Sequence, residues 1–346
     1  MAAYISFQPS DYYTTHIYAG TSSAPFAQTG IGFQPDTVWT KPYDYTDPMR
    51  AVNSVRGGDY SLKTSTNGAE QTGWTPDAAI SAWGADGYTI GTTDGGFNSS
   101  AYNYIGYCWK AGTTSGLSGG TITPTAYSFS TVAGISILQW TGTGSAGTIP
   151  HGLGAVPQMI IVKQLNSTNN WCIYNTTIGN AKFLKLNTDS AEGSASAWNN
   201  TTPTSTLFSV GSDAEVNASG STYIAYCYTS ITGYSKVGAY TGNGDADGPF
   251  IYTGFRPAWL MIKRYDSTAG WEIFNSKRLG WNGLYQNLYL YTDADNVEQS
   301  NHLIDLVSNG FKLKLSAAAL NNGDYIYMAF AEFPLVSSNS KAGVAR

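Results

Sequence analysis

Charge is what this sequence has least of. Only 12% of its 346 residues are charged, with a net charge of −5, where an average chain carries about 25%. No cluster of Lys or Arg occurs anywhere. A protein that grips a phosphate backbone must neutralise several phosphates with grouped basic side chains, so nucleic acid is excluded as a partner. Cysteine is scarce too: Cys108, Cys172 and Cys227 stand alone with no CxxC spacing. An odd, small count of this kind is neither a disulfide framework nor a zinc site. Long apolar runs are missing, and no segment approaches the ~20 residues needed to span a bilayer. The opening Met1-Ala-Ala-Tyr-Ile-Ser lacks the basic region and apolar run of a signal peptide, so the expectation is cytoplasmic synthesis without membrane insertion.

The usual constellations of catalysis are missing as well. There is no GxSxG elbow, HExxH or P-loop, so no catalytic residue, metal ligand or cofactor is assigned. His16, His151 and His302 sit at unrelated places, and His151 reads as a solvated turn residue before Gly152. Glu272 and Glu332 are the acids a glycosidase would need, but neither recurs elsewhere in the chain. Asp245-Ala-Asp247 and Asp293-Ala-Asp295 look like fragments of a calcium loop without its continuation; polar turns account for both.

Aromatics and glycine are abundant: 14% aromatic, with 25 Tyr, 10 Trp and 39 Gly. Such residues fit pleated, half-buried surfaces joined by tight turns. They are also arranged in repeats. Gly32-Phe33-Gln34-Pro35 precedes Lys41, Pro157 precedes Lys163, and Gly254-Phe255-Arg256-Pro257 precedes Lys263, always with the same interval from Pro to Lys. Each interval is a short apolar strand entered from a proline. A second block reads Met49-Arg-Ala-Val-Asn53, Trp171-Cys-Ile-Tyr-Asn175 and Trp271-Glu-Ile-Phe-Asn275, alternating with the period of a strand that buries one face. A closing block reads Tyr104-Ile-Gly-Tyr-Cys108, Tyr223-Ile-Ala-Tyr-Cys227 and Tyr327-Met-Ala-Phe-Ala331, each set after Asn98, Asn217 or Asn321. Aromatic-x-Gly turns precede each copy at Tyr18, Trp140 and Tyr240.

Matched blocks in one order predict an all-β chain of three homologous antiparallel β-sandwich domains in tandem, jelly-roll-like. The expected boundaries are 13–110, 132–229 and 234–333. Residues 1–12 read as an N-terminal docking arm, 111–131 as a Gly/Ser/Thr-rich linker, and 334–346 as a tail. A long linker after the first domain and almost none after the second predict a tight pair, with the first domain freer to swing. Helical periodicity is nearly absent; Leu303–Leu306 is at most one or two turns. Cys108 and Cys227, matched by an alanine in the third copy, read as small core residues. Asn53, Asn175 and Asn275 read as structural caps on strand ends.

Several of these segments resemble virion proteins of marine phages, cyanophages among them. They are Phe7-Gln-Pro-Ser-Asp-Tyr12, Gly32-Phe-Gln-Pro-Asp36, the stretch Thr241–Phe255 and Tyr325-Ile-Tyr-Met-Ala-Phe-Ala-Glu332. The resemblance implies β-sandwich modules of a tail-fibre-type component on the virion surface, made in the cytoplasm of a bacterial host, not enzymatic and binding host surface glycans. A capsid decoration protein or head fibre is the alternative, and a polysaccharide depolymerase the enzymatic rival. Expected partners are other virion proteins, further copies of the chain (a homo-oligomer such as a trimer) and a host glycan. Aromatics in loops unique to one copy suit stacking on a sugar ring, which selects Trp198, Trp281, Tyr285 and Tyr289. The apolar Tyr4, Ile5 and Phe7 of the arm are expected to dock on the virion.

Overall fold

The computed structural model describes residues 8–278, 287–302 and 304–333. It is all-β, with antiparallel sheets throughout and only short turns of helix, such as Pro9–Asp11, Ala214–Asn217 and Ala318–Asn321. The segment expected as a helical turn is instead the strand Ile304–Val307. Its alternating burial suits a two-sided sheet better than a helix face.

One strand order occurs three times. In the first repeat an opening strand, Tyr13–Ala19, pairs with a closing strand, Asn103–Trp109. That strand pairs with a lysine strand, Thr37–Pro42, followed by an asparagine strand, Arg50–Asn53, and a flanking strand, Gly57–Lys63. The second repeat lays Ile135–Thr141, Thr222–Tyr228, Met159–Gln164, Cys172–Asn175 and Lys182–Lys185 in the same sequence. The third uses Ser235–Thr241, Asp324–Phe330, Trp259–Arg264, Trp271–Asn275 and Asn287–Tyr291. Lys41, Lys163 and Lys263 are opposite Ile105, Ile224 and Ile326 on the closing strands. A smaller sheet covers the back of each: Phe26–Gln28 with Gly87–Thr92 and Pro76–Gly84, then Gly147–Pro150 with Leu207–Val210, then Phe250–Tyr252 with Gly310–Leu313 and Ile304–Val307. Both faces of every large sheet are therefore apolar, and its central strands are buried along their length.

Each repeat closes on the same corner. The rings of Tyr104, Tyr223 and Tyr325 stack on Tyr18, Trp140 and Tyr240, with centroids 5.0, 5.3 and 4.8 Å apart. Their hydroxyls donate to the carbonyls of Gly95, Ala214 and Ala318 and accept from the amides of Ser99, Ala218 and Asn322. The third member of the closing block is thus Tyr325, not Tyr327. Only four positions separate it from Asn321, because the turn there is two residues shorter. The match for Cys108 and Cys227 is consequently Ala329. Gly20, Gly142 and Gly242 pass so close to this corner that a Cβ would stand 2.0, 2.2 and 2.3 Å from backbone atoms of Ser99, Ala218 and Asn321. No side chain fits there.

The repeats are not beads on a string. Three apolar clusters fill the spaces between each large sheet and its small one. A fourth draws on all three large sheets, joining Trp39 and Trp109 to Ile161 and Tyr226 and to Trp259 and Phe330. The first repeat is therefore not free to swing; its front face is part of a core it shares. The presumed linker is also structured. Ala126–Ser130 adds an edge strand to the second sheet, Thr113 bridges Phe129, and Ile122 is buried in the second repeat. Polar composition does not keep a segment loose when every other residue can reach a core.

Candidate functional site

The seams between repeats hold the most unusual chemistry. The penultimate residue of each lysine strand is a fully buried lysine: Lys41, Lys163 and Lys263 are 0% exposed. Each ammonium donates to a backbone carbonyl of another repeat: Lys41 to Asp295 at 3.1 Å, Lys163 to Asn67 at 3.3 Å and Lys263 to Asp189 at 2.8 Å. Second acceptors are the carbonyls of Asp47, Gln164 and Ala269. Burial pushes all three ammonium groups down to about 8, opposed by Asp295 and Asp47, Glu70, and Asp293 and Asp189 respectively.

The same three loops supply further bonds in the same cyclic sense. The amide of Glu70 donates to Leu165 at 2.8 Å, that of Glu192 to Tyr265 at 2.9 Å and that of Glu298 to Tyr43 at 2.7 Å. Repeat 1 thus reaches onto repeat 2, repeat 2 onto repeat 3, and repeat 3 back onto repeat 1. A head-to-tail contact that returns to its start is a closed ring, here made within one chain.

Each further feature of the seams is shared by two repeats and missing from the third. The Trp171 indole donates to Lys63 at 3.0 Å and that of Trp271 to Lys185 at 2.8 Å, while the matched residue of repeat 1 is Met49. Asn53 donates to the Tyr226 hydroxyl at 2.8 Å and Asn275 to Tyr107 at 3.3 Å. The residue of repeat 3 matched to Tyr107 and Tyr226 is Met328, which has no hydroxyl, and the buried amide nitrogen of Asn175 has no partner among the described residues. Arg56 pairs with Glu70 and Arg278 with Glu298; Ile178 takes that place in repeat 2. The asparagine oxygens hold the following turn through the amides of Arg56, Thr177 and Arg278.

Of the residues selected for stacking on a sugar, the two that are described, Trp198 and Tyr289, are both buried. Trp198 is 1% exposed, with its indole donating to Lys182 at 3.1 Å and its ring edge-on to Tyr174. Tyr289 is also 1% exposed and packs on Phe274. Both are core residues: Tyr289 lies on the strand Asn287–Tyr291 of the third large sheet, and the turn that carries Trp198 folds back over its sheet. Trp281 and Tyr285 lie outside the described residues, as do Tyr4, Ile5 and Phe7 of the arm.

The remaining reactive groups are spent on structure. His151 is no solvated turn residue: it is fully buried, its Nδ1 accepts from the Leu153 amide at 3.2 Å, and Nε2 lies 3.2 Å from the Thr204 carbonyl. His16 lies 3.9 Å from Cys108, in outline a Cys–His pair. Burial, however, pushes the imidazole down to about 4 and the thiol well up, so both are neutral and no thiolate forms. Glu332 pairs with Lys277, and Glu272 is buried within its strand. In the acidic turns, Asp247 pairs with Lys312, and Asp293 accepts the amide of Trp271 at 2.9 Å. Among the described residues no group of three or more acid, His or Cys side chains could hold a metal ion, and no helix is long and apolar enough to cross a membrane.

Comparison with known proteins matches the sequence to a family whose function is not assigned. A family model described as a domain of unknown function, DUF7483, matches residues 8–334 in one span. No curated protein and no solved structure matches the chain.

Proposed function

We propose that this chain, which belongs to the DUF7483 family, is a non-enzymatic structural protein of a bacteriophage virion, exposed on the particle as a tail-fibre-type component. The observation that supports this reading is the closed ring. Its recurring polar groups are spent on structure: the three lysines, the backbone amides of Glu70, Glu192 and Glu298 and the side chains of Asn53 and Asn275 hold one repeat to the next. A scaffold that uses its buried polar groups in this way is rigid and presents its loops outward. An object with threefold internal symmetry also suits a site on a threefold fibre axis, where one chain can meet three equivalent neighbours. Contacts with other virion proteins, or between copies of this chain, then fall to the outer sheets and loops, since the faces between repeats are already occupied.

A second placement, decoration of the capsid, is favoured by compactness, because the chain closes on itself without any shaft. Immunogold electron microscopy of purified particles whose genome encodes the chain tests both. Label at the tail supports the fibre reading, and label spread over the head at high copy number supports decoration. Particles without label would overturn the virion reading altogether.

A further inference from the structure

One groove breaks the threefold pattern. It has a volume of about 570 Å³ and lies where the first repeat hands the chain to the second, lined by Gln34, Asp36, Lys110, Thr114, Tyr127 and Ser128 among others. That volume is in the range of small-molecule sites, roughly 300–1,000 Å³. The groove exists because Ala126–Ser130 forms an edge strand that has no counterpart beside the opening strands of the other two described sheets. The position of Asp36 is taken by Gln158 in repeat 2 and Ala258 in repeat 3. Gln158 turns its oxygen to the amide of Ser230 at 2.8 Å, so only the first junction leaves a carboxylate at the floor of a cleft.

The groups in the groove divide into a fixed floor and an unspent rim. On the floor, the Asp36 oxygens accept from the Ser54 hydroxyl at 2.8 Å and the Ala111 amide at 2.9 Å, and Ser128 accepts from Gly112 at 2.8 Å. Each carboxylate oxygen keeps a further lone pair. One wall is the half-buried Tyr127 ring, oriented by its hydroxyl accepting from the Leu117 amide at 3.2 Å, with Val55 nearby. Around the rim the Gln34 amide and the Thr114 hydroxyl have no partner among the described residues, and among these the Lys110 ammonium has the Tyr12 ring beneath it, 5.6 Å from the centroid. One ammonium and one carboxylate balance, so the groove does not call for a charged ligand.

From an apolar wall, neutral balance and donors and acceptors on both edges we infer that this groove binds a neutral saccharide unit. The ring face would lie on Tyr127, and its hydroxyls would meet Asp36, Gln34, Thr114 and Lys110. This deepens the proposed role by placing at the first junction the glycan contact that the sequence assigned to Trp198 and the aromatics of repeat 3, and it rests on that role only for where the sugar would come from. The test is saturation-transfer NMR on the purified full chain with a defined mixture of neutral hexoses, 6-deoxyhexoses and N-acetylhexosamines. Inorganic phosphate and glycine serve as charged competitors. Transfer to at least one sugar is expected, insensitive to both competitors. The surface double variant Gln34→Ala/Thr114→Val should bind roughly tenfold more weakly, the equivalent of about 1.4 kcal/mol, while Asp247→Ala, at the far end of repeat 3, should bind as before. No transfer to any sugar, displacement by phosphate or glycine, or full transfer in the double variant would each overturn the assignment. Sugar binding by a protein absent from particles would remove the virion reading and leave the groove in place.

Discussion

Asp293 is the residue whose replacement the repeats themselves recommend. Its carboxylate accepts the Trp271 amide at 2.9 Å. At the matched place in repeat 2, the Asn187 amide oxygen accepts the Trp171 amide at the same 2.9 Å. The bond therefore does not require a charge, yet repeat 3 buries one. Burial, countered by the Trp271 amide and by Lys263 and assisted by Asp189, raises the Asp293 carboxyl to about 6. The folded pKa exceeds the unfolded one, so the folded state holds the extra proton. The associated stability is complete below the unfolded value of about 3.9 and is lost as pH rises through about 6. At roughly 1.4 kcal/mol per pKa unit, the loss from about pH 4 to about pH 7.5 is on the order of 2–3 kcal/mol. Asp293→Asn keeps the bond and removes the slope. Urea unfolding should find the variant equal to the parent near pH 4, within about 0.5 kcal/mol, and about 2 kcal/mol more stable near pH 7.5. An Asn variant that is less stable near neutrality would show that the carboxylate is needed as a charge, and one whose advantage is the same at both pH values would show that its titration carries no stability; either result would refute the reasoning.

The seam bonds give an ordered series: Tyr226→Phe strands a buried Asn53 amide and should cost about 1–3 kcal/mol, with Tyr107→Phe at 3.3 Å costing less. Met328→Leu, at the seam already lacking the bond, should cost under about 1.5 kcal/mol, and urea midpoints that reverse this order would contradict the matching of the three seams. For the lysines the folded value of about 8 lies below the unfolded value of about 10.4, so the folded state holds fewer protons between them. The buried thiols of Cys108, Cys172 and Cys227 are pushed up by burial and ionise only in the unfolded state over the same range, so the test uses a variant with all three replaced by alanine. Its stability should climb by about 1 kcal/mol per lysine from roughly pH 7.5 to pH 9, before tyrosines that ionise only in the unfolded state reverse the trend. A monotonic fall over that range in denaturant titrations would speak against it. Because one core joins all three repeats, calorimetry should find a single cooperative unfolding transition, and three resolved transitions would mean the ring does not couple them.

Strand content, the threefold repetition and the place of each lysine were legible in the amino-acid order. Period-two alternation, prolines at strand entries and turn residues are local signals, and three matched copies reinforce one another. The small residue shared at Cys108 and Cys227 could likewise be read as core, since an alanine serves in the third copy. What no local pattern carries is which face of a sheet meets which neighbour. The lysine strands read only as short apolar strands entered from a proline; it is the ring that buries the lysines themselves, with Asn67, Asp189 and Asp295 brought in from another repeat to receive the charges. Trp198 stands among Asn and Thr, the surroundings of an exposed loop, yet tertiary packing turns it inward against Tyr174. The register of the last block slipped by two positions for a related reason: a shortened turn is silent in sequence and appears only when Tyr325 is found in the corner that Tyr104 and Tyr223 occupy. Local order chose the strands, but the burial of distant surfaces against one another, whose free energy depends on area and not on sequence separation, chose the ring and the one groove that breaks it.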